Sequence, residues 1–186
     1  MLIKSKVINS FNFYEVVIES GNLSKAGFLI QKKTSPSQIF VLTNPKIYRL
    51  YFEKLKKSIS KQGWKIYPII IPEGERFKNF NTYQKVFGKL IKEKADRDSV
   101  LISLGGGVMG DLAGTVAATY MRGISLVHIP TTLLAQVDAS IGGKTAVNLT
   151  QAKNLMGCFY PAKLVIIDPR VLKTLTDKDF LNGLVE

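Results

Sequence analysis

The stretch VLISLGGGVMGD, residues 100–111, decides the fold. Its first five residues form a largely apolar run that predicts a buried β-strand. Glycines follow at positions 105, 107 and 110 in the pattern G-x-G-x-x-G, and the small residues of Gly110–Met121 predict a helix. A strand, a glycine turn and a helix in this order are typical of nucleotide-binding α/β domains.

The glycine turn suits a bound anion. Glycines let a pyrophosphate approach the backbone closely, and the free N–H groups at the start of the helix attract its negative charge. Asp111 can accept hydrogen bonds from ligand hydroxyls or can cap the helix, and both interpretations stay open. An ordinary dinucleotide site needs an acid about 20 residues further on. No acid lies between Asp111 and Asp138, so the motif is better described as GGGxxxD.

Strand and helix patterns alternate along the whole chain. The strand patterns cover Phe13–Glu19, Ile39–Leu42, Lys65–Ile71, Val100–Leu104, Leu126–Ile129 and Leu164–Ile167. The helix patterns cover Leu29–Lys33, Pro45–Lys61, Asn81–Ala95 and Gly110–Met121, and Asn44 is the expected cap of the second. This alternation predicts an α/β fold, with a Rossmann-like, mostly parallel sheet and flanking helices. Pro68 predicts that its strand lies at an edge or carries a bulge.

The composition is that of a globular protein, with 46% hydrophobic and 22% charged residues among 186. No apolar run reaches the length of about 18 residues that indicates a membrane-spanning helix. Residues 1–20 lack the unbroken apolar stretch of a signal peptide. The single cysteine, Cys158, has no internal disulfide partner, which fits a reducing compartment. We therefore expect a cytoplasmic protein.

The net charge of +12 is unevenly distributed. Residues 1–98 hold 19 Lys or Arg against 8 Asp or Glu, whereas residues 99–186 hold 7 against 6. An excess of this size can indicate nucleic acid or an anionic surface as partner. The lysines are nevertheless spread through amphipathic patterns such as Tyr51–Lys61, which favours a solvated basic face. We expect no nucleic-acid partner and no membrane partner.

Charged and amide side chains are concentrated in residues 122–154. They are Arg122, Asp138, Lys144, Lys153 and Asn154. Three cations with a carboxylate and an amide suit an anionic, polyhydroxylated substrate beside a nucleotide, and the turn before Lys144 is formed by two glycines. Scattered salt bridges at the ends of the sheet are the alternative interpretation. Asp138 lies among apolar residues, and burying it without a partner would be costly.

Two further segments follow predicted strands. Residues 72–78, PEGERFK, place opposite charges around a glycine, which is typical either of a polar surface turn or of a carboxylate that binds ribose hydroxyls with a lysine nearby. Thr131 and Thr132 can bond phosphate or ribose, or can cap the next helix.

Several long blocks, in order and at matching spacing, resemble the 3-dehydroquinate synthase family. They are EGERFK, GGGVMGDLAGTVAATYMRG, IPTTLLAQVDASIGGKTAVN, KNLMGCFYPAKLVIID, LKTL and GLVE, from about Glu73 to Glu186. This family belongs to the sugar phosphate cyclases and shares its nucleotide domain with the iron-dependent alcohol dehydrogenases. Two departures are local: Asn148–Lys153 lacks a proline–glycine spacing, and His128 stands where the family often has Gln, which we interpret as a structural residue.

The resemblance implies a role for each matching position. NAD would be contacted by Glu73, Gly74, Glu75, Lys78, Gly106, Gly107, Val108, Met109, Gly110, Asp111, Thr131, Thr132, Lys144, Lys153, Val171, Leu172, Lys173 and Thr174. The substrate, 3-deoxy-D-arabino-heptulosonate 7-phosphate, would be faced by Arg122, Asp138, Lys144, Lys153 and Asn154. Glu186 would be the first ligand of a divalent metal, zinc or cobalt. The full-length enzyme would be a homodimer.

The resemblance also implies two domains. Residues 1–175 would form the NAD-binding α/β domain, and residues 176–186 the first turns of a helical metal-binding domain that is otherwise absent. His128 is the single histidine, so this chain would lack the family's set of one Glu and two His. We expect the chain to be inactive alone. The alternatives are another sugar phosphate cyclase, a metal-dependent alcohol dehydrogenase and a non-catalytic NAD-binding remnant.

Overall fold

The computed structural model describes residues 3–8 and 13–186, and a seven-stranded sheet forms the centre of that part of the chain. The strands are β1 (Ile3–Ile8), β2 (Phe13–Ile18), β3 (Ile39–Thr43), β4 (Ile66–Ile70), β5 (Val100–Gly105), β6 (Ser125–Pro130), β7 (Lys144–Val147), β8 (Met156–Phe159) and β9 (Leu164–Ile167). The large sheet has the order β1-β2-β9-β6-β5-β3-β4, and β7 and β8 form a separate antiparallel hairpin.

The sheet is mostly parallel, as predicted. Every neighbouring pair in it is parallel except β1 and β2. The chain passes from β3 outward to β4, then crosses back to β5 on the other side of β3. Because connections leave β3 and β5 in opposite directions, a crevice opens between their carboxyl ends, and ligands of such sheets bind there.

The helices flank both faces of the sheet. They are α1 (Ala26–Gln31), α2 (Pro45–Ile47), α3 (Glu53–Ser60), α4 (Phe80–Lys92), α5 (Gly107–Thr119) and α6 (Asp177–Leu184). A π-helical turn, Tyr48–Phe52, joins α2 to α3, so the helix predicted over residues 45–61 is confirmed with this irregularity. Asn44 caps it as expected, since its Oδ1 accepts from the N–H of Ile47 at 2.9 Å.

Two apolar cores lie on opposite faces of the sheet. Along β3, Phe40 and Leu42 belong to the core that contains residues of α4 and α5, whereas Ile39 and Val41 belong to the core that contains residues of α1 and α3. All four side chains are fully buried. Strands covered on both faces consist of continuous apolar residues. These segments can therefore be identified as strands from the sequence although apolar and polar residues do not alternate in them.

Helix α5 is buried between the sheet and the β7–β8 hairpin. It begins at Gly107, three residues before the predicted start at Gly110, because the glycine turn itself enters the helix. A Cβ at Gly114 would collide with the side chain of Thr145 on β7. The small residues of this helix therefore allow the hairpin to pack directly against it. The hairpin was not predicted, because its two short strands are separated by a loop without a two-residue turn signal.

His128 is a structural residue of the core, as predicted. It lies on β6 with 4% of its surface exposed, and its Nδ1 is 2.6 Å from Ser103 Oγ on β5. The ring packs beside Gly110, where a Cβ would lie 3.8 Å from its Cε1. Burial lowers the pKa of His128 from 6.5 to about 4, because the charged imidazolium is poorly solvated there.

Pro68 lies in β4, at the edge of the sheet, as predicted. Within the described residues, no helix is long and apolar enough to cross a membrane. The expectation about a signal peptide falls partly on residues 1–2 and 9–12, which lie outside those that the structure describes.

The last helix begins where the sequence predicts. Thr176 caps α6, with its Oγ1 accepting from the N–H of Asp179 at 3.2 Å. Gly183 is buried against Leu133 and Leu134, since a Cβ there would lie 2.5 Å from the backbone nitrogen of Leu134. Most of the apolar side chains of this segment are exposed: Phe180, Leu181, Leu184 and Val185. That residues 176–186 begin a separate domain stays a prediction.

The packing of α5 predicts opposite effects of the same substitution in two helices. Gly114→Ala should lower the free energy of unfolding by about 2 kcal/mol, because the added methyl group meets Thr145. Gly88→Ala in α4 should raise it by about 0.5–1 kcal/mol, because nothing lies near the new Cβ and alanine favours the helix. Urea unfolding followed by Trp64 fluorescence measures both, and equal effects would contradict this packing.

The burial of His128 predicts a specific loss of stability in acid. Below pH 6.5 the unfolded chain binds a proton at His128, whereas the folded chain binds it only near pH 4. The contribution of this group to the free energy of unfolding is therefore complete at neutral pH and is lost as the pH falls from 6.5 to about 4. The total loss from this group is about 3 kcal/mol. His128→Gln removes the titrating ring and should flatten this part of the profile. Parallel unfolding profiles for the two proteins from pH 7 to pH 4 would contradict the interpretation.

Candidate functional site

A cleft of about 200 Å³ lies at the crevice between the carboxyl ends of β3 and β5. Its lining is Asn44, Lys46, Ile47, Glu73, Gly74, Gly106, Gly107, Val108, Met109, Thr131, Thr132, Thr174, Leu175 and Asp179. Nine of these belong to the residues predicted to contact a cofactor. The structure thus brings together the loop after β4, the glycine turn and the threonines after β6.

The glycine turn leaves the start of α5 open to a ligand. Gly106 stands at the N-cap and offers no side chain to the first N–H groups of the helix. A Cβ at Gly106 would lie 3.1 Å from Thr132 Cγ2, and one at Gly107 would lie 3.3 Å from the Cβ of Ala139. Larger residues would therefore crowd the turn. The helix dipole and the uncapped N–H groups favour a negative charge in this cleft.

The two threonines after β6 have different roles. Thr132 Oγ1 accepts from the N–H of Ala135 at 3.2 Å, so it caps the following helical turn. Thr131 is 2% exposed, and its Oγ1 has no partner within the described part of the protein. A buried hydroxyl without a partner costs free energy. Its position in the cleft identifies Thr131 as a group that a ligand can satisfy.

A second, larger cavity of about 530 Å³ borders α5 at Asp111. Its lining is Asp111, Asp138, Ala139, Ile141, Lys144, Thr145, Ala146, Asn154, Leu155, Gly157, Cys158 and Phe159. Three of the five predicted substrate residues, Asp138, Lys144 and Asn154, meet here. Asp138 is exposed into the cavity, so the expected cost of burying it does not arise.

Contacts with Tyr14 and Pro161 hold the turn formed by residues 142–144 in place. Gly142 and Gly143 have φ values of 89° and 73°, in the left-handed region that glycine tolerates, as the sequence predicts. The N–H of Gly142 donates to the hydroxyl of Tyr14 on β2 at 2.8 Å. A Cβ at Gly143 would lie 2.9 Å from the nitrogen of Pro161. These contacts place Lys144 at the first position of β7, with its side chain exposed into the cavity.

A buried lysine connects the two predicted sites. Lys78 has only 5% of its side chain exposed. Its ammonium forms an ion pair with Asp111 and donates to Asn154 Oδ1 at 2.5 Å, and Glu75 lies 4.0 Å away. Burial raises the pKa of the Asp111 carboxyl, and the ion pair with Lys78 opposes that rise. Asp111 is therefore held by a side chain, and its role as a hydroxyl acceptor stays a prediction.

Several predicted residues line neither cavity. Arg122 is exposed at the far end of α5, before β6 begins, and Lys153 is exposed in the loop between β7 and β8. In the 3₁₀ helix Pro169–Thr174, Val171 is buried in a core, whereas Thr174 reaches the cleft. Tyr51 fixes this helix, because its hydroxyl donates to the carbonyl of Val171 at 2.9 Å. The roles of Arg122 and Lys153 stay predictions.

The structure adds residues that the motifs did not reveal. Asn44, Lys46 and Asp179 line the smaller cleft, at the carboxyl ends of β3 and β5. For Asn44 the signal was present, since it directly follows a parallel strand next to the switch point. Asn148 is a further addition, and it makes hydrogen bonds to two of the predicted segments.

No metal centre forms within the described residues. No group of three or more His, Cys, Asp or Glu side chains comes together there. Glu186 is exposed and is the last residue of the chain. Its role as a metal ligand stays a prediction.

Solved structures share this architecture. The crystal structure of a 2-deoxy-scyllo-inosose synthase superposes with a TM-score of 0.91 and 25% identity over 98% of this chain and 51% of that chain. A 2-epi-5-epi-valiolone synthase from Streptomyces hygroscopicus subsp. jinggangensis gives 0.83 and 29% over 96% of this chain and 49% of that chain. An iron-containing alcohol dehydrogenase from Thermococcus thioreducens shares the fold at 0.75 and 15%, over 91% of this chain and 49% of that chain. The fold is thus that of the group of sugar phosphate cyclases and iron-containing alcohol dehydrogenases.

Sequence comparison assigns the chain within that group. Residues 68–182 match the model described as 3-dehydroquinate synthase N-terminal, and the chain belongs to this family. A 3-dehydroquinate synthase from Caldanaerobacter subterraneus subsp. tengcongensis is 47% identical over 173 residues. The aligned region covers 93% of this chain and 49% of that relative, so the chain spans about half the length of the curated relatives that it matches.

Proposed function

We propose that this chain is the NAD-binding portion of a 3-dehydroquinate synthase. That enzyme is a lyase of the shikimate pathway, which supplies aromatic amino acids, and it converts 3-deoxy-D-arabino-heptulosonate 7-phosphate to 3-dehydroquinate and phosphate. The observation that carries the proposal is the pair of cavities along the N-terminal part of α5, a cleft at the glycine turn and a larger cavity that carries Lys144, Asp138 and Asn154.

The nucleotide cleft fits NAD. Uncapped N–H groups at the start of α5 suit a pyrophosphate, Thr131 offers an unpartnered hydroxyl, and Glu73 offers a carboxylate to a ribose. The related 2-epi-5-epi-valiolone synthase was solved with NAD⁺ and Zn²⁺ bound. NAD held by these residues would supply reversible hydride transfer to and from the substrate.

The larger cavity suits the sugar phosphate. Lys144 places a cation on its wall, where it would neutralise a phosphate, and Asn154 can orient a hydroxyl or a phosphate oxygen. Asp138 is an exposed carboxylate that can hold or accept a proton from a reacting hydroxyl. The described residues do not by themselves fit a zinc or cobalt ion. Dimerisation of the full-length enzyme stays part of the proposal.

Another sugar phosphate cyclase is the second candidate, because the structural similarity to 2-deoxy-scyllo-inosose synthase is high, with a TM-score of 0.91. Sequence identity supports the first candidate, at 47% to a 3-dehydroquinate synthase against 25% to that cyclase. Residues in contact with a substrate change with its structure while the fold stays the same. We therefore favour 3-dehydroquinate formation.

Replacement of one buried hydroxyl tests the cofactor site. Thr131→Val keeps the shape of the side chain and removes the unpartnered oxygen, so NAD affinity should fall about tenfold while stability is kept or rises. Thr43→Val is the matched control: Thr43 Oγ1 is also buried without a partner, and this residue lines neither cavity. Calorimetric titration with NAD measures both variants. Equal affinities for Thr131→Val and the unsubstituted chain would contradict the assignment.

Phosphate release tests the reaction. With 3-deoxy-D-arabino-heptulosonate 7-phosphate, NAD and zinc, the purified chain of 186 residues should bind NAD and release no phosphate, because its described residues assemble no metal centre. Sustained release would show that this chain completes the catalytic site. A folded chain that fails to bind NAD would overturn the proposed function itself.

A further inference from the structure

Asn148 lies outside both cavities, at the point where three segments meet. It directly follows β7, and its N–H donates to the carbonyl of Lys78 at 2.8 Å. It also forms an isolated parallel bridge with Asn79. The backbone of the β7 segment is thereby attached to the end of the loop after β4, which carries Glu73 and Gly74 into the nucleotide cleft.

The side chain of Asn148 makes two further contacts of opposite kind. Its Nδ2 donates to Glu75 Oε1 at 2.8 Å, and its Oδ1 accepts from the N–H of Asn154 at 2.9 Å. An uncharged amide can donate to a carboxylate on one side and accept from an N–H on the other. Aspartate would have the same shape but would place a second carboxylate against Glu75.

The contact to Asn154 constrains an unusual backbone. Asn154 has φ of 56°, in the left-handed region. Its Oδ1 accepts from Lys78, so its side chain and its N–H are held by different residues of the same network. Asn154 lines the larger cavity, and Glu75 and Lys78 follow the residues that line the cleft. Asn148 therefore contacts both loops at once, Glu75 through its Nδ2 and Asn154 through its Oδ1.

We infer that Asn148 is a positioning residue that couples dinucleotide binding in the cleft to anion binding in the cavity. Ordering of the loop around Glu75 by a dinucleotide fixes the amide of Asn148, which fixes Asn154 in its left-handed conformation beside Lys144. The inference rests on the proposed function, because it takes the cleft as the dinucleotide site. Coupling of this kind is reciprocal, so each ligand raises the affinity of the other by the same factor.

The test is the affinity for inorganic phosphate, measured by calorimetry with and without saturating NAD. The unsubstituted chain should bind phosphate about fivefold more tightly when NAD is bound. In Asn148→Asp the ratio of the phosphate affinity with NAD to that without NAD should fall to about one. The introduced carboxylate repels Glu75, and the hydrogen bond between residues 148 and 75 is lost. Asn81 lines, together with Glu75 and Asn148, a groove outside both cavities. Asn81→Asp makes the same chemical change there and should keep the ratio of the two phosphate affinities.

A second substitution separates coupling from simple loss of stability. In the double variant Asn148→Asp, Glu75→Gln, the introduced glutamine amide can donate to the introduced carboxylate, which still accepts from the N–H of Asn154. The double variant should regain most of the NAD-dependent ratio. If Asn148→Asp does not fold, Glu75→Ala removes the same hydrogen bond by deleting its acceptor. NAD should then leave the phosphate affinity unchanged.

The outcomes are distinct. Absence of NAD binding by the folded, unsubstituted chain would overturn the proposed function. Normal NAD and phosphate binding with equal phosphate affinities in both conditions would overturn this inference alone. Persistence of the full ratio in Asn148→Asp, or its absence from the double variant, would also overturn the inference.

Discussion

The close approach of helix α5 to its neighbours is the constraint on which the site depends. The helix is covered by the sheet on one side and by the β7–β8 hairpin on the other, and Gly114 leaves room for Thr145 at that contact. The N-terminal part of α5 borders both cavities, the cleft at residues 107–109 and the larger cavity at Asp111. The glycines of this helix therefore serve the geometry of the site as much as the binding of an anion.

Lys78 holds the polar side of this arrangement together. A buried ammonium is costly unless it is paired and hydrogen-bonded, and here it is bonded to Asp111 and Asn154. These two partners come from helix α5 and from the loop between β7 and β8. A single cation from a third segment thus fixes the relative position of the walls of the larger cavity.

The sequence predicts the fold well where the signal is local. The unit β5–turn–α5 is encoded in continuous residues, and the cap at Asn44 and the edge position of Pro68 follow from single residue types. The hairpin was missed because its pairing depends on contact with α5 rather than on a turn motif. Within the site, the glycine turn after β5 and the threonines after β6 were found from the sequence, whereas Asn148 was missed because its contacts join segments far apart in the chain.

The edge strand β4 has a consequence for the behaviour of the protein in concentrated solution. The N–H of Ile71 donates to the carbonyl of Thr43 on the neighbouring strand β3. Because the backbone groups of successive residues point to opposite sides of a strand, the backbone nitrogen of Pro68 faces away from the sheet. Proline there has no N–H to offer, and a strand from another molecule loses that hydrogen bond. Although Ile70 exposes 47% of its surface on this edge, the proline interrupts the template that would support growth of the sheet into aggregates.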